Sequence, residues 1–322
     1  MSYTVYKGPA QVEWGGIKFI AQGEVSVTVM PETFDIATDA FGTVDTRLRS
    51  RMHTISFTPS GRINECMDLI LAAAARACGV SVLSGALVVR PLVGSQPPLT
   101  FDRAGVTAVP MMRLGAGKTL WGAITFTALE TAGENTGVIA ASGAYVAPVL
   151  NFLAGDVLTQ PWTGSWVPSA TGVAPAGQEA NYLVNMDTED GWEITTELST
   201  EASRVDAAGV VDLLQTDCKV TARCKPVGMT DAALMIVLQR SNANRTLRPG
   251  DSIGGKDSTG TVETCNLILT GRNGFVITLR NCGIKGGTLA FGAKANRTSG
   301  VEFTALRNFV TGAPQPLITY DD

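Results

Sequence analysis

Charge is scarce in this chain: Asp, Glu, Lys and Arg make up 17% of its 322 residues, against about 25% in an ordinary soluble protein. A surface so poor in charge suits a subunit covered by neighbours, because interface cores are depleted of charged side chains. Self-association is therefore expected. A basic excess is also missing. With 25 basic and 29 acidic residues the net charge is -4, which removes the counterion release that drives tight nucleic-acid binding. Histidine is almost absent. His53 alone excludes a two-histidine metal site and HExxH, and leaves a serine triad only if His53 serves it. The six cysteines, Cys66, Cys78, Cys218, Cys224, Cys265 and Cys282, form no CxxC or Cys/His cluster. Neither a disulfide framework nor a zinc site is expected, and reduced thiols in a cytoplasm fit best. No metal and no cofactor are expected. The opening MSYTVYKGPAQVEW has no apolar leader, and the longest apolar run, Met67 to Ala75 around Asp68, is too short for a bilayer. Neither export by a signal peptide nor a membrane partner is expected.

Glycine, by contrast, is plentiful at 35 residues, and the chain resembles itself. A shift of 167 positions lays 39-DAFGTVDTRLRSRMHTISFTPSG-61 on 206-DAAGVVDLLQTDCKVTARCKPVG-228 with 8 identities in 23 and no gap. Ordinary residue frequencies predict about one or two. Asn64 then falls on Asp231, both suited to cap a helix, ahead of ECMDLILAAAARA and AALMIVLQRSN. Later the shift becomes 177, where 124-ITFTAL-129 meets 301-VEFTAL-306 and Gly115-Ala116 meets Gly292-Ala293. The turn-rich loop 248-RPGDSIGGKDSTG-260 accounts for the ten extra residues. An internal duplication is expected.

Alternating apolar residues predict strands at 25-VSVTV-29, 53-HTISFTP-59, 86-ALVVRPL-92, 99-LTFDR-103 and 120-LWGAITFTAL-129. In the second half, 193-EITTEL-198, 218-CKVTARC-224, 264-TCNLILTG-271, 274-GFVITLRN-281 and 301-VEFTAL-306 take those places. The expected architecture is mainly β with one helix per domain: a first domain over 1–142 and a second over 143–322, whose start (about 143–190) is elaborated. The Gly/Pro/Ala/Ser-rich 164-GSWVPSATGVAPAGQEA-180 lies in the join or in a loop of the second domain.

GPAQVEWGGIKF, 24-EVSVTVMPETFDIATDAFGTVDTRL-48, 54-TISFTPSG-61 and KTLWGAITFTAL together resemble tail tube proteins of long-tailed bacteriophages, over most of residues 6–130 and more weakly over 191–307. The resemblance implies tail-tube-like β-sandwich or rolled-barrel domains, and a structural virion protein made in the bacterial host cytoplasm. Such proteins stack as rings around a lumen through which the genome is ejected. Usual members have one domain and form hexameric rings; two domains imply a homotrimer of pseudo-sixfold symmetry. The implied partners are further copies, a tape-measure protein and tail-end proteins, with DNA passing unbound. It also implies a long hairpin facing the adjacent ring, a place held here by 32–51 and 199–217. The residues concerned are Asp35, Asp39, Gly42, Asp45, Arg47, Arg49 and Arg51, with Glu201, Asp206, Gly209, Asp212 and Asp217. Other readings are a tail-end adaptor or hub ring, and a two-domain capsid-decoration or receptor-binding module.

No enzyme is expected. The segment 115-GAGKT-119 lacks the earlier Gly of a phosphate loop, which Met112 replaces, and a strand-like LWGAITF follows it where a helix is required. It fits a strand connection. His53 matches Val220 in the repeat and fits a strand residue. Cys218 and Cys224, six apart on one strand face, stand roughly 20 Å from each other in extended chain and fit a core. Asp39, Asp45, Asp206 and Asp212 stand in turn-like DAxGxVD segments, where Asp bonds local backbone. Arg47, Arg49 and Arg51 form a basic stripe if extended, complementary to the region of Glu197, Glu201 and Asp206. Residues 1–142 carry 11 basic and 11 acidic side chains and the remainder 14 and 18, so the halves are not interchangeable. If the strands line a channel, Val25, Val27, Val29, Ile55, Phe57, Ile124 and Phe126 face the core. Ser26, Thr28, Thr54, Ser56, Thr125 and Thr127 then form the lumen wall. Glu193, Thr195, Thr221, Arg223, Lys225, Glu302 and Thr304 hold comparable places, with Arg223 and Lys225 needing Glu193 or Glu302 as partners.

Overall fold

The computed structural model describes residues 10–39, 42–60, 63–92, 97–115, 118–131, 162–205, 209–228, 234, 236–237, 247–253, 264–271, 274–291, 296–307, 309–310, 313–314 and 316–321. The expected boundary at 142, Asp206, Asp231 and most of the 248–260 loop lie outside these residues.

Period-two sequence builds the first unit from β1 (Ala10–Trp14), β2 (Ile17–Ala21), β3 (Ser26–Thr38), β4 (Gly42–Phe57), β5 (Pro59–Ser60), α1 (Ile63–Ala74), β6 (Val80–Ser81), β7 (Ser84–Pro91), β8 (Leu99–Ala108), β9 (Met112–Gly115), β10 (Lys118–Trp121) and β11 (Ile124–Thr131). The second unit has β12 (Thr163–Pro168), β13 (Leu183–Val205), β14 (Gly209–Val227), β15 (Cys265–Thr270), β16 (Val276–Leu279), β17 (Cys282–Phe291), β18 (Asn296–Ala305), β19 (Phe309–Val310), β20 (Ala313–Pro314) and β21 (Ile318–Asp321). The protein is mainly β, in two large antiparallel sheets.

The first sheet runs β3-β4-β11-β8-β7-β1-β2-β5. Because β2 leads into β3 and β4 into β5, its two ends belong to the same pair of chain runs, and the sheet returns on itself like a small barrel. In the second unit β13 is unbroken and pairs with both β12 and β14, closing the same circuit through β15, β16/β17 and β18. Asn281, in the left-handed region at φ 48, separates β16 from β17, a conformation that Asn tolerates better than most residues.

The two circuits share their register. Ser26 faces Ser56 as Glu193 faces Arg223, and Ile124 faces Phe57 as Val301 faces Cys224. Leu87 faces Phe101 as Leu267 faces Leu279, and Ala21 faces Pro59 as Thr188 faces Pro226. Even the irregularity recurs: one bulge sets Thr107 out of step between Val106 and Ala108, and another sets Lys285 out of step between Ile284 and Gly286. The buried indole of Trp14 donates to the Ala104 carbonyl at 2.9 Å, and that of Trp166 to the Cys282 carbonyl at 2.7 Å. Trp14 faces Leu87 as Trp166 faces Leu267, so β12 is the counterpart of β1. Where Gly15-Gly16 make a two-residue turn after β1, the segment 169–182 intervenes after β12, which places 169–180 of the Gly/Pro-rich stretch in a loop of the second unit, while its first residues, 164–168, belong to strand β12.

Side chains inside both circuits join one apolar cluster, including Val12, Phe101, Phe126, Trp192, Leu267 and Phe303. Helix α1 buries Met67, Leu69, Ile70 and Ala73 on one face. Leu234, Ile236 and Val237 are helical at the corresponding places. Asn64 does not cap α1. The helix begins one residue earlier, and Asn64 instead accepts a hydrogen bond from the Tyr320 hydroxyl at 3.1 Å.

Several expectations change. The early strands are far longer than their apolar alternation, since β3–β4 and β13–β14 run on as polar ladders. Cross-strand backbone bonding sustains them where burial does not. Asp45 and Asp212 consequently stand within strands, not turns, whereas Asp39 sits at a hairpin turn. Val29 is exposed where core was expected, because β3 is the last strand of its sheet and leaves the barrel there. Val25, Ile55, Phe57, Ile124 and Phe126 are buried as the alternation requires, and Val27 packs partly buried against them.

Candidate functional site

The surface opposite the core of β3-β4-β11 and its counterpart β13-β14-β18 carries two very different rows. In the first unit Ser26, Ser56 and Thr125 lie side by side across three strands. Thr125 reaches the Ser56 hydroxyl at 3.4 Å, and the bulged Thr107 lies 3.1 Å from Thr127. Thr28 faces Thr54, which faces Thr127. Ser26 and Thr28 are exposed and Thr54, Ser56, Thr125 and Thr127 half-buried, so the six form one hydroxyl-bearing face without fixed charge.

In the second unit the equivalent row alternates in sign across five strands: Arg113 (β9), Glu193 (β13), Arg223 (β14), Glu302 (β18) and the bulged Lys285 (β17). Arg113 contacts Glu193 at 2.6 Å, while Arg223 and Lys285 both contact Glu302, at 2.5 and 2.8 Å. Lys225 pairs with Asp190 at 2.6 Å, not with Glu193 or Glu302. Hydrogen bonds from Lys285 and then Arg223 hold the Glu302 carboxyl below its ordinary range, and Glu302 in turn raises the Arg223 guanidinium. Such exposed pairs contribute only about 0.2–1 kcal/mol each. Their larger effect is to leave each cation beside an anion.

Linkage gives this row a pH signature. A carboxyl whose folded value is lowered adds stability above its unfolded value, about 4.3 for Glu, and that contribution disappears as pH falls through the folded value. Glu302→Gln is therefore expected to cost about 0.5–1 kcal/mol at pH 7 and progressively less as the pH is taken below 4. Denaturant unfolding at several pH values measures this; a penalty independent of pH would refute it.

Two arms project from the barrels. On the first, Asp35 accepts a bond from Thr46 at 2.6 Å, Asp45 pairs with Arg47 at 3.1 Å, and Asp39 is exposed near the tip, before Gly42 opens β4. Arg47, Arg49 and Arg51 do not form one regular stripe: a bulge between Glu32 and Thr33 leaves Arg49 without an opposite residue. Arg49 lies over the Phe34 ring at 5.4 Å and 3.9 Å from Glu32, whereas Arg47 faces Phe34 and Arg51 faces Pro31. On the second arm Glu201 is exposed opposite Leu214, Gly209 opens β14, and Asp217 accepts the Cys218 amide at 2.8 Å. Asp212 accepts from Ser81 and lies 3.5 Å from Arg103, so it is engaged within the chain. The arms touch where Arg204 meets Glu32 at 2.8 Å.

The junction between units is made by strands of the first unit that add to the second unit's sheet. Strands β9 and β10 form the hairpin that 115-GAGKT-119 connects, and β9 pairs with β13, Met112–Leu114 against Trp192–Ile194. Beside it β6 pairs with β14 at Leu214 and Gln215. Sequence reasoning missed Arg113, Lys285 and this junction. Glu193, Arg223 and Glu302 were accessible through strand alternation, whereas Arg113 joins them only through pairing between units. His53 is a buried strand residue against Phe101. Cys78 alone among the cysteines is exposed; burial pushes the Cys224 thiol up to about 12. No protein-family model matches this chain, and no curated protein matches it significantly.

Proposed function

We propose that this chain is a structural virion protein that forms the tail tube of a long-tailed phage, built from two tail-tube-like units that arose by duplication. The observation that carries the proposal is the first unit's β9–β10 hairpin adding to the second unit's sheet at β13, between circuits that share register, bulge and tryptophan hydrogen bond. A repeated unit that extends its neighbour's sheet is suited to building rings. Three chains then supply six units, and the arms reach toward the adjacent ring.

The wall facing the lumen is the hydroxyl face of one unit and the alternating row of the other. Neither presents an array of unpaired cations to retain phosphates, so DNA slides past without specific binding. The tape-measure protein and tail-end proteins are the further partners, no cofactor or metal is required, and no catalysis is involved.

Electron microscopy of the purified protein tests this directly. Stacked rings with a central hole are expected, with native masses of isolated rings in multiples of three chains. Rings that never stack would indicate an adaptor or hub, and compact single chains at high concentration would overturn the proposal. Six chains in each ring would refute the pseudo-sixfold scheme. Deleting 36–46, the outer part of the first arm, should leave the barrel folded and stop tube growth.

A further inference from the structure

We infer that a second copy of this chain docks head to tail on the β3 edge and β3–β4 arm, repeating between chains the contact that the two units make within one chain. The inference rests on the duplicated units of the reading above but not on their belonging to a tail.

Within the chain, the second unit's arm is covered along part of β14. Besides the β9–β13 pairing, Gly79 donates to the Gln215 carbonyl and Val82 to the Leu213 carbonyl, each at 2.7 Å, and Ser81 bonds Asp212. Leu213 and Gln215 are buried there, Gln215 also donating to the Ala73 carbonyl of α1, and Val210 is buried farther along β14. Their counterparts on the first arm, 167 positions earlier, are Thr43, Thr46 and Leu48, and all three are exposed. The first arm also exposes Val29, Met30, Phe34 and Val44 between 39% and 52%. Apolar side chains exposed on both faces of a terminal strand pair are the ordinary appearance of an uncovered interface. The counterpart of Trp192–Ile194 is Val25–Val27, on the side of β3 that pairs with no strand among the described residues.

The complementary surface belongs to the second unit. Met112–Leu114 of β9 corresponds to Leu289–Phe291 of β17: Leu120 faces Arg113 as Arg297 faces Ala290, and Trp121 faces Met112 as Thr298 faces Leu289. Strand β17 ends its sheet. The counterpart of Ser81-Val82 is Ser252-Ile253, so this part of the 248–260 loop, expected to hold the extra residues, has an equivalent in the first unit. Gly105 and Gly283 pair equivalently with Thr127 and Thr304, and Val82 closes over Gly105 where Ile253 closes over Gly283. The pair Ser81–Asp212 thus predicts Ser252 of one copy beside Asp45 of the next. Each chain offers one surface of each kind, at opposite ends of its two units. This is a heterologous contact that closes into a ring when the rotation permits, made by strand addition.

Two full-length variants, Asp45→Cys and Ser252→Cys, each with Cys78→Ser to remove the exposed thiol, test the contact after mixing and mild oxidation. A covalent pair containing one chain of each kind is expected in the mixture and in neither variant alone. Leu48→Glu, at a site already 43% exposed, should keep the circular dichroism of the folded chain and sediment as a single chain. No mixed pair at concentrations where the protein is assembled, or undiminished assembly of Leu48→Glu, would overturn the inference. Tubes that form without the mixed pair would remove this contact and leave the tail reading standing. Mixed pairs in chains that never stack would keep the contact and remove the tail.

Discussion

Changing Trp166 to alanine is expected to lower the unfolding free energy by about 3–5 kcal/mol, and changing it to phenylalanine by about 1–3 kcal/mol. The two losses have separate causes. Alanine empties the volume of one of the largest fully buried side chains. Phenylalanine fills most of that space but removes the indole N–H, leaving the Cys282 carbonyl without its 2.7 Å donor. Trp14→Phe should cost a comparable amount, since its indole serves the Ala104 carbonyl in the same way. Urea unfolding of the three variants measures these differences. A phenylalanine variant as stable as the parent at both sites would show that these bonds contribute nothing.

Gly191→Ala should loosen the β9–β13 junction without unfolding either unit. Gly191 has φ 85, a region that costs an alanine roughly 1–2 kcal/mol, and an added Cβ would overlap the Leu114 carbonyl oxygen. That oxygen belongs to β9 where it lies along β13, so the strand must move away. Hydrogen exchange should show faster exchange across Met112–Leu114 and Trp192–Ile194, while Val12, Phe101, Leu267 and Phe303 keep their protection. Unchanged exchange at the junction would mean that β9 does not depend on the missing side chain.

Much of this organisation was legible in the sequence, and the exceptions have physical reasons. The 167-residue shift was visible because Asp39, Gly42, Asp45, Pro59 and Gly61 recur. The match of β1 with β12 was not: 10-AQVEW-14 and 162-WTGSW-166 share only the tryptophan, and the 169–182 loop displaces the shift. Backbone pairing preserves a register that side chains no longer report. The face of Ser26, Ser56 and Thr125 followed from alternation alone. Val29 did not, because alternation states which side of a strand a residue takes and says nothing about where the sheet underneath ends. The ionic row needed five strands placed together, one from the other unit. Its members are separated by as many as 189 positions, Arg113 to Glu302, and no local pattern connects them.

The long β13 has a mechanical meaning. Its 23 residues carry the chain from barrel to arm in one run, but not as a straight rod: Gly191 stands at φ 85, and the pairing with β14 shifts between Thr188 and Trp192. The first unit breaks its strand at the equivalent place, between Ala21 and Ser26. Each arm therefore joins its barrel through a joint at the same point, where a load on the arm turns into local bending before it reaches the barrel.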